Sequence, residues 1–495
     1  MAVTPLIILV LIIILAAAFL RVRLNYWRKR NALTIHTSDL QKFRGREHLA
    51  FVFQRIYNQL KAENKPYAGI FTLLRPSVVV ADLDMLKIVY ITEFESFPDR
   101  GFYVNYKSDP LSKNLVRLHW DLWHKMRAKL TPTFTANRMR QMFANVEVIG
   151  RHFIEVMQEE QSVAKDHVVD VRDLCARFTT DVIGDVAFGL QCNSLQDPNA
   201  EFRLQGDKAF YTIHPLMEFL SSLYPNFFQK IGYKVFPKDM IDFYSTIVKE
   251  TVEYRVKNRV KRNDFLDLII ELKNKPSKEG EEYQLDMNDL IAQSFVFFIG
   301  GFETSSSTMS FALFELAKNP LVQEKARENV DEILRHHHGV FSHESLNEMV
   351  YIRQVVQETL RRHPIAPTGR RVCRRRYTFP NGLTVEPEVD IVAPIYAIHH
   401  DPEIYPQPEI FRPERFAAEE RIGRHPMSYL PFGAGPRVCI AERFGMMQTM
   451  LGLAMLLHNF KFSPCQRTPE HLHYDPHNVL AFNCKDGIYL KVEKV

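Results

Sequence analysis

The residues best equipped for chemistry in this chain share one loop, Pro431-Phe432-Gly433-Ala434-Gly435-Pro436-Arg437-Val438-Cys439-Ile440-Ala441. Gly433 and Gly435 let the backbone approach something large and flat. Cys439 falls at the start of a helix expected from about Cys439 to His458, where free N–H groups and the helix dipole favour a thiolate. Arg437 adds positive charge nearby, and Phe432 can cover the sulfur. A thiolate presented this way is a soft ligand for a metal held by a single protein bond, and haem iron meets that description. The plainer reading is a buried structural cysteine. It does not explain why Phe432, Gly435, Arg437 and Cys439 fall on one spacing.

Positioning such a loop takes a large body, and the chain has one. It runs to 495 residues, 46% hydrophobic, 24% charged and 12% aromatic, a globular balance that excludes wholesale disorder and collagen-like architecture. A net charge of +5 is too weak to argue for nucleic acid. The six cysteines are scattered with no C-x-x-C pair, so neither a zinc ribbon nor a disulfide framework is signalled, and a reducing compartment fits. No G-x-G-x-x-G or Walker-type loop marks a nucleotide site.

The fold class expected is mainly α with small β-sheets. Residues 69–82 read as a hairpin with Pro76 in its turn. Helical periodicity dominates from about 83 to 365, with 287–318 as one long helix carrying Gly300-Gly301 at its middle. Short strands are expected around 371–395 and at Gly487–Val492, with a Pro-rich irregular stretch at 399–416. Residues 212–240 are apolar, aromatic and interrupted by proline, and carry two readings: ordinary core, or a loop dipping into a membrane surface. His336-His337-His338 resembles a metal cluster, but its place before Gly339 reads as solvated histidines at a helix end.

The N-terminus predicts topology. Met1 to Leu20 contains no charged residue, and Arg21, Arg23, Arg28, Lys29 and Arg30 follow with no acid among them. About 20 apolar residues span a bilayer as a helix, and the basic flank stays cytoplasmic. A cleaved signal peptide would carry its charge before the apolar run. Residues 1–20 are therefore read as a single membrane anchor, with Tyr26 and Trp27 near the interface. Residues 21–45 are read as a basic connector, and 46–495 as one catalytic domain.

The Cys439 loop resembles the F-x-x-G-x-R-x-C-x-G signature of the cytochromes P-450, the haem-thiolate monooxygenases, departing only at Ala441 in place of the last Gly. Glu358-Thr359-Leu360-Arg361 looks like their E-x-x-R motif, although Glu324…Arg327 and Glu332…Arg335 satisfy the same pattern. Phe411–Phe416 looks like the P-E-R-F segment, and Trp123-x-x-x-Arg127 like the W-x-x-x-R helix. Finer resemblance, at Gly301–Ser306, Leu130–Phe134, Phe178–Gly184 and Arg443–Gln448, points to insect microsomal family-6 members. Those members carry a Pro/Gly-rich hinge after the anchor. Here no proline lies between Pro5 and Pro66.

The resemblance implies haem b with Cys439 as axial iron ligand, in a loop formed by Phe432, Gly435 and Arg437. Trp123, Arg127, Arg437 and Arg371 are the candidates to meet its propionates. Glu358, Arg361 and Arg415 are implied to form a buried structural triad. Glu303-Thr304 looks like the family's acid–alcohol pair, handling protons for dioxygen, with Gly300-Gly301 letting the helix open locally. A carboxylate inside SFVFFIGGF is costly unless solvated or paired. Electrons are implied to come from NADPH through NADPH–cytochrome P-450 reductase, with cytochrome b5 as a further candidate partner. Lys125, Lys129 and Arg443 are candidates for the face that meets them. The substrate implied is small and lipophilic, a xenobiotic or an endogenous hormone or lipid. The location implied is the endoplasmic reticulum membrane, with the catalytic domain cytosolic. Two other readings stand beside a monooxygenase: a haem-thiolate isomerase, against which Glu303-Thr304 argues, and a non-enzymatic haem protein that binds a hydrophobic ligand.

Overall fold

The computed structural model describes residues 21, 25–30, 32–35, 47–72, 75–262, 264–275, 283–478 and 481–495. The proposed anchor, residues 1–20, and parts of the connector lie outside them. Among the described residues no helix is long and apolar enough to cross a membrane.

Helices dominate: α1 (Leu49–Ala62), α2 (Trp120–Leu130), α3 (Ala136–Val163), α4 (Val171–Ile183), α5 (Glu201–Tyr211), α6 (Pro215–Leu223), α7 (Pro225–Lys230), α8 (Lys238–Asn258), α9 (Phe265–Asn274), α10 (Met287–Lys318), α11 (Pro320–His336), α12 (Val350–Arg362) and α13 (Glu442–Asn459). The strands are β1 (Leu33–Thr34), β2 (Tyr67–Thr72), β3 (Arg75–Val80), β4 (Val168–Asp170), β5 (Gly369–Val372), β6 (Tyr377–Thr378), β7 (Thr384–Val385), β8 (Asp390–Ala393), β9 (Phe460–Pro464) and β10 (Tyr489–Lys494). They form a five-stranded sheet in the order β1-β2-β3-β8-β5, a three-stranded sheet β4-β10-β9 and the pair β6-β7.

Two apolar cores result. The larger surrounds α10 and takes in α3, α4, α12 and α13. The smaller packs α1 and the β2, β3 and β8 strands. The helix α10 opens on a capping box, Asp286 accepting from the Asp289 N–H at 2.7 Å and Asp289 returning the bond at 2.9 Å, which satisfies two orphan donors. Buried nearly all round, it runs through the core and stays regular across Gly300-Gly301. The local opening expected there is not present. Instead a Cβ on Gly301 would collide with Ile183 of α4, whereas one on Gly300 would meet nothing within 4 Å. One glycine lets two helices touch; the other leaves a face open.

Two expectations are corrected near the N-terminus. Pro76 lies within β3 opposite Phe71, not in the turn. It sits beyond the Ser77–Val79 stretch that β3 shares with β8, where a missing N–H costs no inner ladder bond. Trp27 is fully buried rather than at an interface. Its indole donates to the Ile70 carbonyl at 2.9 Å, and it fills the space above Gly69, where any side chain would strike its ring. Residues assigned to a connector thus enter the fold, and Leu33–Thr34 add β1 alongside Ala68–Gly69.

Two neutral histidines tie distant parts together. His48 caps α1 by accepting from the Ala50 N–H at 3.1 Å and binds the Asn478 carbonyl at 2.8 Å. His399 accepts from the Leu430 N–H at 2.8 Å. Burial pushes His48 down to about 4 and His399 down to about 3. The unfolded chain therefore binds more protons than the folded one below about pH 6.5, and stability is lost as pH falls from there toward 4, by at most about 1.4 kcal/mol per pH unit for each histidine. Urea midpoints at pH 7 and 5 check this: a drop is expected, partly flattened in His48→Gln, and equal midpoints would contradict it.

Candidate active site

The site lies between the two cores, and three pieces of chain build it. The first is a stripe on α10. Val296, Ile299, Gly300 and Thr304 are accessible, while most of the helix around them is buried. Their i, i+3, i+4, i+8 spacing places them on one face. Thr304 Oγ1 donates to the Gly300 carbonyl at 2.6 Å.

The second piece is the cysteine loop. Gly435 has φ +69°, and a Cβ there would overlap the Tyr90 carbonyl oxygen. Glycine is required by this contact and by the left-handed backbone. Gly433 also has positive φ, +76°, with nothing within 4 Å of its Cβ position. The loop closes on itself through the Cys439 N–H, which donates to the Phe432 carbonyl at 2.9 Å. Cys439 precedes the first residue of α13, Glu442, by three positions rather than starting the helix. It is the one exposed cysteine of the six, which weighs against a structural thiol. Protein nevertheless crowds it closely enough that burial pushes its pKa up, against the Ala441 N–H bond and the charges of Arg100 and Arg127, which pull it down. Loop position alone therefore does not make the thiolate; a bound metal would.

Ala441, the departure from the signature, caps α13 with φ −101°. That is an ordinary conformation for an L-residue, so the methyl group is unstrained. Ala441→Gly is expected to lower stability by under about 1 kcal/mol and to leave haem content unchanged. A rise in haem content, read by absorbance per protein, would contradict this.

The third piece is a set of guanidinium groups, Arg437 and Arg371 buried and Arg127 and Arg100 half-buried. Arg437 stacks over Trp123, 4.4 Å from the ring centre, and donates to the Leu118 carbonyl at 2.8 Å. Arg371 lies over Tyr90 at 4.4 Å. Arg127 donates to the Val438 carbonyl at 2.9 Å and Arg100 to the Arg437 carbonyl at 3.1 Å. The carboxylate that reaches this set is Asp99, 3.4 Å from Arg437, and it already accepts from the Trp120 N–H at 2.7 Å. Arg437 Nε and Nη1 and Arg371 Nε are buried without a hydrogen-bond partner. Burial, then Arg100 and Arg371, push Arg437 down to about 8; burial and then Arg371 push Arg100 down to about 10. Orphaned donors on mutually repelling buried cations call for an anion, and a group bearing two carboxylates fits. Arg100 was not singled out from sequence: it stands alone in Pro98-Asp99-Arg100-Gly101, with no motif around it.

The two sides are tied together close to Thr304. Gly445 of α13 lies against Ser305, and Gln448 donates to the Gly301 carbonyl at 2.7 Å. Glu303 points elsewhere. It is buried, accepting from Arg172 of α4 at 3.1 Å and from Ser307 at 3.0 Å, so the acid in the apolar run is paired rather than solvated.

The implied triad is assembled. Arg361 holds both oxygens of Glu358 at 2.8 and 3.0 Å, and Arg415 reaches it at 3.3 Å. By contrast Glu324 meets Arg327 at 3.6 Å with the acid exposed.

The Cytochrome P450 family model matches residues 45–490. The chain is a cytochrome P450. It is 44% identical to "Probable cytochrome P450 6a18" of Drosophila melanogaster, over 90% of this chain and 89% of that protein. It is 43% identical to cytochrome P450 6a8 of the same species, over 96% and 95%. It is 40% identical to cytochrome P450 6A1 of Musca domestica, over 97% and 96%. Membership implies haem iron and dioxygen and makes the protein a monooxygenase.

The remaining candidates lie outside this P450 centre. Arg443 is exposed, while Lys125 and Lys129 are half-buried. His337 reaches Glu348 at 3.0 Å, and no cluster of three metal-ligating side chains occurs among the described residues.

Proposed function

We propose that this P450 is a microsomal enzyme that binds haem b through Cys439 and oxidises small lipophilic molecules, xenobiotic or endogenous, with electrons from NADPH–cytochrome P-450 reductase. The observation that carries this reading is the pairing of an exposed cysteine with the orphaned donors of the buried Arg437 and Arg371, beside an accessible stripe on the core helix. Bound haem iron with a thiolate ligand supplies the splitting of dioxygen, one oxygen atom going to the substrate and one to water.

The chain's own residues do the rest. Arg437, Arg371, Arg127 and Arg100 would hold the two carboxylates of haem, with Trp123 stacked on Arg437. Val296, Ile299 and Gly300 leave room for an apolar substrate. Thr304 keeps its proton on the Gly300 carbonyl and offers it to dioxygen on turning its hydroxyl. Glu303, paired with Arg172 at rest, would return the proton only after leaving that bond and taking a proton from solvent. Arg443, with Lys125 and Lys129, contributes to the face that meets acidic electron donors.

Residues 1–20 hold the enzyme to the endoplasmic reticulum membrane, with the catalytic domain cytosolic. The 212–240 stretch supports a second contact there. It buries Phe219, Phe228 and Phe236, yet leaves Tyr224, Phe227 and Ile231 about half exposed, at 49, 59 and 60%.

Thr304→Ala is expected to keep consuming NADPH while releasing hydrogen peroxide, with product formed per NADPH falling on the order of a hundredfold. Thr304→Ser should retain most of the wild-type ratio, and Glu303→Gln should slow turnover and raise its solvent isotope effect. Wild-type coupling in Thr304→Ala would contradict the assignment.

A further inference from the structure

Beside Trp27 the fold leaves a groove of about 680 Å³ lined by Arg28, Ala32, Leu33, Thr34, Lys65, Pro66, Tyr67 and Asn381. Arg28 and Lys65 are exposed, and neither has an ion-pair partner among the described residues. Three other cations nearby, Arg30, Arg75 and Arg376, are paired, and Lys29 does not line the groove. Arg30 and Arg376 share Glu386 at 3.8 and 3.6 Å, and Arg75 pairs with Glu388 at 2.9 Å. Thr34 and Tyr67 add hydroxyl groups, and Ala32, Leu33 and Pro66 an apolar floor. Two free cations with hydroxyl donors over apolar carbon match a phosphate ester.

Position identifies the source of that ester. The uncharged run ends at Leu20, eight residues before Arg28, a span of about 12 Å as helix and at most about 28 Å extended. Trp27 is locked into the sheet, so Arg28 has a fixed place relative to Lys65. We propose that this groove binds the phosphate of an anionic membrane phospholipid, fixing how the catalytic body sits on the bilayer. This rests on the reading of residues 1–20 as an anchor.

The test uses full-length protein in bilayers of phosphatidylcholine with a minority of phosphatidylinositol. Lipid retained after detergent exchange is read by native mass spectrometry. Wild type is expected to keep phosphatidylinositol, and Arg28→Gln with Lys65→Gln to lose roughly tenfold of it. Arg21→Gln with Lys29→Gln, which removes equal charge outside the groove, is expected to keep it. Equal loss in both double variants, or loss in neither, overturns the groove. Binding of inorganic phosphate alone with full displacement of the lipid assigns the site to free phosphate and overturns the lipid reading. Retention of wild type on alkali-washed vesicles tests the anchor separately. A wild type that washes off overturns anchor and groove together; one that stays while the double variants behave alike overturns the groove alone.

Discussion

Glu358→Ala is expected to prevent the protein from accumulating in folded form. Glu358 and Arg361 have no exposed side-chain surface and Arg415 has 2%. Removing the carboxylate leaves two buried guanidinium groups facing each other. Their remaining bonds go to carbonyls, those of His399, Pro408, Pro406, Gln407 and Ile410, which supply no countercharge. Breaking a buried pair by removing one partner costs about 3–5 kcal/mol, and a whole domain is held by about 5–15 kcal/mol. The cost also falls where α12 meets the segment that carries the Arg412 N–H to the same carboxylate at 3.1 Å. Glu324→Ala removes the acid of an identical spacing at the surface and should cost under about 1 kcal/mol. Urea unfolding of the two variants checks the contrast. A wild-type midpoint in Glu358→Ala would contradict it.

Cys439→Ser is expected to abolish oxygenation while leaving the fold intact. The Cys439 thiol is exposed, so it contributes little packing; the hydroxyl can still accept from the Ala441 N–H. It is a poor ligand for iron, because a neutral alcohol lacks the electron donation that drives O–O cleavage. Turnover with reductase should fall below detection, with thermal unfolding of the haem-free protein unchanged. Cys484→Ser and Cys192→Ser serve as controls. Burial pushes the Cys484 thiol up to about 12 and the Cys192 thiol higher still, so neither supplies a thiolate. Product formation by Cys439→Ser near the wild-type rate would remove Cys439 from the chemistry.

These two residues also mark what a sequence discloses. Glu358 and Cys439 stand inside spaced patterns, and local spacing survives folding because each pattern occupies one helix end or one loop. The long helix 287–318 was legible for the same reason: its period and its apolar content agree. What stayed hidden depends on chain that is remote in sequence. The need for glycine at 435 comes from the carbonyl of Tyr90, and the need for glycine at 69 from the ring of Trp27. Arg100 joins the cation set only because Pro98–Gly101 folds back beside the cysteine loop. Glu303 was legible as an acid requiring a partner, but its partner Arg172 lies on another helix and no spacing names it. Trp27 reads as an interfacial aromatic because aromatic residues beside a basic flank suit a bilayer surface; the sheet claims it first.

The most direct measurement is the carbon monoxide difference spectrum of the dithionite-reduced full-length protein in membranes. A strongly red-shifted Soret band, lost in Cys439→Ser, is the result expected if the Cys439 thiolate holds haem iron beside the Arg437 and Arg371 cations. A band at the position of an ordinary histidine-ligated haem, or a red-shifted band that persists in Cys439→Ser, would contradict it.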